Sequence, residues 1–275
     1  MQVNYLGYPA SMGATFIDYI VGDAIVTPPE HTAFYTEQIV TLPHCYQPNG
    51  PGLRSFVPMQ GDRAIARHAA GLPPNGFVFC CFNNNYKITP TVFAIWMRIL
   101  HAVPDSVLWL YRMDRRIEPR LRQEAVKHGI SPERLVFAPP QLLPEHLCRH
   151  ALADLFLDTF PCNAHTTGSD ALWAGLPLLT CLGTTFAGRV AASLLHAVGL
   201  PEMVMPTHEA YRAKAIELAN APNELARQRE HLRVARTNAP LFDIDRYRRD
   251  IEDAYRTMHE RQMRREPPMP LIVGA

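Results

Sequence analysis

The chain has 275 residues, 47% of them hydrophobic, and its 27 Lys and Arg against 26 Asp and Glu leave a formal charge of +1. That length and apolar content predict about two domains with a real core, and the near-neutral balance gives no global argument for nucleic acid or an acidic membrane as partner. The longest membrane-like run, Phe16 to Val26, is broken by Asp18, Gly22 and Asp23 and is too short to span a bilayer.

Val3 to Tyr8 reads as a strand feeding a turn, Gly13 to Tyr19 as a short helix and Gln38 to Leu42 as a second strand, before a Pro/Gly-rich stretch from Pro48 to Gly61. So few strands make no sheet domain of ordinary size. The chain also opens almost inside a strand, which raises the expectation that Met1 is not the natural start of the folding unit. Alternatively, these strands extend the main sheet.

From residue 76 strands and helices alternate, the pattern of a parallel sheet. Phe77 to Phe82 is a strand and Asn83 to Lys87 a polar loop. A helix capped by Thr89 and opened by Pro90 follows, through Trp96 to about His101. Next come strand Val107 to Tyr111, helix Glu118 to His128 stopped by Gly129, strand Leu135 to Ala138 and a short helix from Pro144 to Leu152. Leu155 to Asp158 is a buried strand, Ala171 to Ala174 a short helix stopped by Gly175, and Leu178 to Cys181 a further strand. Helices Ala187 to Ala197, His208 to Ala219, Asn223 to Arg236 and Asp245 to Arg264 follow, and Pro267, Pro268 and Pro270 end regular structure.

Cys162-Asn163-Ala164-His165-Thr166-Thr167-Gly168-Ser169-Asp170 falls between a strand and a helix. Free backbone N–H groups, two hydroxyls and the positive end of the helix dipole meet there, a setting that suits a phosphate. The duller reading is that Thr166 or Thr167 caps the helix while His165 faces solvent. Ligands in open α/β sheets lie at the carboxyl ends of strands. The loops Asn83 to Lys87, Pro139 to Pro144 and Pro161 to Thr167 all lie at such ends.

Other features have plainer accounts. The Arg-rich segments 112–134 and 246–265 are interleaved with Glu and Asp at helical spacing, as on solvated helix faces. Trp96, Trp109 and Trp173 occupy core positions. The six cysteines lack paired CxxC spacing and no signal peptide precedes them, which suggests a reducing, cytoplasmic compartment. Asp243-Ile244-Asp245 spells a DxD metal pattern, but it stands where a helix cap is expected. No HExxH motif is present, and the strand ending at Phe82 lacks the GxGxxG turn of a nicotinamide-dependent dehydrogenase.

A resemblance runs in order through Leu6-Gly7-Tyr8-Pro9, Cys81-Phe82-Asn83 with Tyr86-Lys87-Ile88, Ser106 to Leu110, Cys162 to Gly175 and Arg189 to Ser193. Together these segments resemble the C-terminal catalytic region of O-linked N-acetylglucosamine transferases of bacterial type. That resemblance implies an α/β fold of the GT-B type. It divides the chain into residues 1–70 as terminal segments of the N-terminal catalytic lobe and linker, 71–242 as the Rossmann-like UDP-sugar lobe and 243–275 as a C-terminal helix and tail. It also implies inverting transfer of N-acetylglucosamine from UDP-GlcNAc to Ser or Thr hydroxyls of proteins. The tetratricopeptide repeats usual upstream are not visible here, and neither is the upstream part of the first lobe.

The roles it implies are specific. Lys87 sits against the diphosphate and is the catalytic residue, a compact cation suited to the charge that grows on departing UDP. His165, Thr166 and Thr167 form the diphosphate turn, and Asp170 holds the ribose hydroxyls. His146 stacks on uracil, while Arg149 and the backbone of Gln141 read its edge. Gly7 and Pro9 lie beside the N-acetyl group. Asn84 replaces a family glutamine on the phosphate side, and Leu143 replaces a lysine of the animal enzymes near the ribose. No metal or other cofactor is expected. The partners implied are the UDP-sugar, protein acceptors and the missing lobe or repeats, with neither nucleic acid nor membrane. Two alternatives stay open: a UDP-binding lobe inactive on its own, and a related UDP-hexose transferase acting on Asn.

Overall fold

The structure is a computed structural model that describes residues 1–50, 52, 54 and 59–274, so the Pro/Gly-rich stretch from Pro48 to Gly61 lies partly outside the described residues. It contains two parallel sheets. The first joins β1 (Val3–Asn4), β2 (Tyr19–Asp23), β3 (Gln38–Leu42) and β10 (Leu271–Ile272) in the order β1-β2-β3-β10. The second takes β4 (Val78–Cys81), β5 (Val107–Tyr111), β6 (Leu135–Ala138), β7 (Leu155–Leu157), β8 (Leu178–Cys181) and β9 (Val204–Met205) in the order β6-β5-β4-β7-β8-β9. That is the doubly wound order, and its direction reverses between β4 and β7.

Helices α1 (Arg63–Ala69), α2 (Pro90–Ala102), α3 (Ile117–Lys127), α4 (Leu143–Arg149), α5 (Thr166–Trp173), α6 (Val190–Val198), α7 (His208–Ala219), α8 (Pro222–Asn238) and α9 (Ile244–Met263) accompany the strands. Their ends follow local chemistry. Asp62 caps α1, Thr89 caps α2 with Pro90 at its first position, and Thr207 caps α7. Gly199, at φ +82°, ends α6 in the left-handed region that a β-carbon disfavours.

Three expectations need correction. Gly13 to Tyr19 forms no helix: Gly13 turns the chain at φ +64°, and Tyr19 already begins β2. All five residues of β2 are buried, because Ile20 faces the large core while Tyr19 and Val21 face α9. A strand covered on both faces shows no polar alternation. The strand at the start is only Val3–Asn4. Beyond Pro267, Pro268 and Pro270 the chain forms β10, which pairs with β3 through Leu271 and Ile272.

The C-terminal helix belongs to the first sheet. Ala254 and Met258 of α9 pack on Tyr19, Val21, Val40 and Leu42 in a cluster separate from the main core. Other ties join the two sheets. Ser193 Oγ donates to Asp23 Oδ2 (2.7 Å), Arg189 Nε to Ile25 O (2.5 Å) and Gln47 Nε2 to Ser169 Oγ (2.8 Å). Among the described residues no helix is long and apolar enough to cross a membrane.

Met258 is fully buried whereas Met263 is 70% exposed. Met258→Ala is therefore expected to lower unfolding stability by about 2–4 kcal/mol, and Met263→Ala by no more than about 0.5 kcal/mol. Denaturant melts check this, and equal effects would contradict the docking of α9.

Candidate functional site

The strand order places a crevice at the carboxyl ends of β4 and β7, where successive crossovers run in opposite directions. Asn83 and Asp158 lie at those two ends, both buried. Asp158 is the local centre. Its Oδ1 accepts from Thr159 N (2.7 Å), Ala164 N (2.6 Å) and Asn83 Nδ2 (3.2 Å), and its Oδ2 from Thr180 Oγ1 (2.6 Å) on β8. Asn83 Nδ2 also donates to Thr159 Oγ1 (2.7 Å), and Asn83 Oδ1 accepts from Thr167 Oγ1. Burial raises the Asp158 carboxyl to about 6, against the pull of its donors and of Lys87.

On this frame α5 starts at Thr166, five residues before the expected Ala171. His165 precedes it without a capping side chain, and the first helical bond runs from Ser169 N to His165 O (3.0 Å). The N–H groups of Thr166, Thr167 and Gly168 therefore stand ahead of the helical ladder, at the positive end of the dipole. Neither threonine is the cap, so the duller reading of this turn does not hold. Gly168 lets α5 lie close: a β-carbon there would come within 3.1 Å of Leu194, 3.2 Å of Ala164 and 3.3 Å of Leu178.

Lys87 ends a short 3-10 turn (Asn85–Lys87) after β4 and donates through Nζ to Asn163 O (2.6 Å). Asn84 stands immediately before that turn. The ammonium is thus held beside the start of α5. His165 Nε2 lies 3.3 Å from Ala187 O, and burial, then the charge of Lys87, push its imidazole down to about 4. It is neutral near pH 7. Lys87, His165, Thr166 and Thr167 are brought together as expected. One detail differs, since the Thr167 hydroxyl is spent on Asn83 while Thr166 is exposed.

A second group adjoins through Phe82, the residue before Asn83. Its ring contacts His146 (5.3 Å) and His150 (5.1 Å), and the Arg149 guanidinium lies over it (5.6 Å). Burial, then Arg149, push His146 down to about 4. Arg149 is buried and donates through Nη1 to Pro139 O (2.8 Å), but its Nε and Nη2 are buried without a partner among the described residues. Leaving such donors unpaired costs about 1–3 kcal/mol each. A ligand with carbonyl acceptors would relieve that cost. Gln141 is exposed on the loop between β6 and α4.

Asp170 lines a cleft of about 740 Å³ with Thr166, Leu143, Gly50 and Ile244, and its Oδ1 accepts from Arg54 Nε (2.8 Å). Sequence reading did not anticipate that ion pair, for which no local pattern exists. Gly7 and Pro9 lie in the loop after β1. That loop is pinned by Asn4 Nδ2 to Ala10 O (2.9 Å) and by Glu37, which accepts from Met12 N and Ser11 Oγ (2.6 Å each). No hydrogen bond among the described residues joins Gly7 or Pro9 to the Lys87 group. Asp243 caps α9 by accepting from Arg246 N (2.9 Å). Among the described residues no group of three His, Cys, Asp or Glu side chains could hold a metal ion.

Residues 1–49 and 59–251 match the family described as Glycosyl transferase family 41. The chain is 40% identical over 256 residues to a probable UDP-N-acetylglucosamine–peptide N-acetylglucosaminyltransferase, SEC, of Arabidopsis thaliana, an alignment covering 93% of this chain and 26% of that protein. It superposes on a mutant O-GlcNAc transferase of Thermobaculum terrenum with a TM-score of 0.83 and 35% identity, covering 94% of this chain and 48% of that one. Anabaena Alr3699/HepE, solved with UDP, superposes with a TM-score of 0.60 over 88% of this chain and 64% of that one; at 14% identity this shows the fold alone. The architecture is that of GT-B glycosyltransferases. The chain spans about a quarter of the plant relative and under half of the bacterial enzyme.

With both imidazoles near 4, the ring-nitrogen NMR shifts of His146 and His165 are expected to keep neutral values as pH falls from about 8 to about 5, whereas a free histidine titrates near about 6.5. A midpoint above about 6 for either would contradict the burial described.

Proposed function

The chain belongs to Glycosyl transferase family 41, and on that premise we propose that it forms the donor-binding half of a protein O-GlcNAc transferase. In this reading N-acetylglucosamine passes from UDP-GlcNAc to Ser or Thr hydroxyls of proteins. The observation that carries it is the convergence, at the switch point of the sheet, of the Lys87 ammonium with the open N-terminus of α5. Charged diphosphate is favoured there twice over, by a cation and by aligned N–H groups. The unpartnered donors of Arg149 and the neutral ring of His146, one residue pair away through Phe82, suit the edge and face of a pyrimidine base. Asp170 and the cleft it lines fit the ribose, once a hydroxyl competes with Arg54 for the carboxylate.

In the reaction an acceptor hydroxyl attacks the anomeric carbon from the face opposite UDP and gives up its proton to solvent or to the donor phosphate. The bond from that carbon to the β-phosphate oxygen breaks, and its electron pair leaves with UDP, so the configuration inverts. The growing charge on that oxygen is met by Lys87 and by the N–H groups of Thr166 and Thr167, which act more strongly on it than on the intact donor. His165 is neutral, with its one ring N–H directed at Ala187 O, and so adds no second charge beside Lys87. The reading needs no metal ion, because Lys87 and the helix N-terminus supply the positive potential. It places the protein in the cytoplasm, in keeping with six unpaired cysteines. The fraction of each relative covered favours turnover that depends on the remaining lobe, with protein acceptors as partners of the whole enzyme.

Calorimetric titration with UDP tests the site directly. Lys87→Ala and His146→Ala are each expected to weaken binding by about tenfold or more. A folded chain that takes up no UDP, or two variants that bind as the parent does, would contradict the assignment.

A further inference from the structure

Asp158 and Lys87 act on the two ends of one peptide group. The bond between Asn163 and Ala164 carries the carbonyl that receives Lys87 Nζ (2.6 Å) and the N–H that donates to Asp158 Oδ1 (2.6 Å). A buried anion, a peptide dipole and a cation are therefore in series, each orienting the next. The peptide is further fixed from its flanks, with Asn163 N donating to Ala187 O (2.9 Å) and Asn163 Nδ2 to Thr159 O (2.9 Å). The same carboxylate holds Asn83, and through it Thr167 in the first turn of α5.

We infer that Asp158 is the positioning residue of this site: it sets the Asn163–Ala164 peptide so that the carbonyl holds the Lys87 ammonium at the mouth of the α5 N-terminus. The inference rests on the donor-site reading above. Asp158 is fully buried and touches no substrate, so it acts only through Lys87 and the turn. Simple Coulomb reasoning gives the opposite sign, because a buried negative charge near a diphosphate would weaken its binding. The two effects are thus separable by experiment.

The carboxyl titrates where this can be seen, at about 6. The groups facing it are Lys87 from the turn after β4, Cys81 from β4, Cys181 from β8 and Tyr211 from α7. Burial raises both thiols and the phenol, so they stay neutral as pH falls below 7. His165, beside Lys87, stays neutral down to about 4. UDP-GlcNAc is the suitable probe, since its diphosphate is a diester that keeps its charge throughout this range.

The test is titration of the chain and of Asp158→Asn with UDP-GlcNAc from about pH 8 to about pH 5, with melting temperatures in parallel. The parent is expected to lose affinity as Asp158 takes up its proton. Asp158→Asn should bind roughly tenfold more weakly at pH 8 and show no such pH dependence. In a Lys87→Met background the same substitution should add nothing. Loss of the fold cannot produce this pattern: a carboxyl raised in the folded state takes up its proton there first, so its contribution to stability rises as pH falls through that range. Asp158→Asn binding as tightly as the parent, or more tightly, would overturn the inference and leave the donor site standing. If the variant does not fold, a parent whose Asp158 carboxyl is seen by NMR to take up its proton in this range with no change in affinity overturns it equally. A folded parent that binds no UDP-GlcNAc at any pH would overturn the donor site and the inference with it.

Discussion

At the point where the sheet order reverses, the ladders of β4 with β7 and of β7 with β8 run out, and the segments beyond them must be held together by side chains. The carboxylate of Asp158 performs this with four donors drawn from Thr159, Ala164, Asn83 and Thr180. Burying a carboxylate is costly unless its acceptor sites are filled, and here one buried group fixes a strand end, a turn and a helix start together. What faces the crevice is the consequence: a lysine ammonium, a helix N-terminus without a side-chain cap and a neutral histidine.

The electrostatic design is asymmetric. Lys87 is the cation at the mouth of α5, while His146 and His165 are kept neutral by burial and by the positive neighbours Arg149 and Lys87. A neutral imidazole can stack or donate without the solvation cost of a second charge. Arg149 completes the contrast, since it retains two buried donors with no hydrogen-bond partner among the described residues, beside a ring cluster that suits a planar ligand. These groups come from the turn after β4, from α4 and from the start of α5, yet Phe82 and Asn83 at the end of one strand reach both halves of the site.

Much of this was legible in the sequence. Val78–Cys81, Val107–Tyr111, Leu135–Ala138, Leu155–Leu157 and Leu178–Cys181 are short apolar runs between polar or Gly/Pro punctuation, and Thr89-Pro90, Thr207 and Gly199 mark helix ends by local chemistry alone. What was missed depends on distant partners. β2 is buried on both faces and so lacks alternation, and β10 is a two-residue edge strand behind three prolines that exists because β3 offers it a partner. Thr-Thr-Gly-Ser is a poor helix former, yet α5 begins there because Gly168 lets it press on Leu178 and Leu194. In the site, Lys87, His165, Thr166 and Thr167 were singled out because the segments that carry them resemble, in order, those of the transferase family. The bond from Thr167 to Asn83 and the pair of Arg54 with Asp170 join residues 84 and 116 positions apart, which no local pattern could reveal.

The central claim is that a diphosphate sits between Lys87 and the start of α5. The most direct measurement is a crystal structure of the chain with UDP bound. The account predicts phosphate oxygens within hydrogen-bond reach of Lys87 Nζ and of the N–H groups of Thr166 or Thr167, with the base beside His146 and Arg149. A nucleotide bound elsewhere, such as in the arginine-lined cleft around Asp154 at the opposite ends of the strands, with the Lys87 crevice empty, would contradict it.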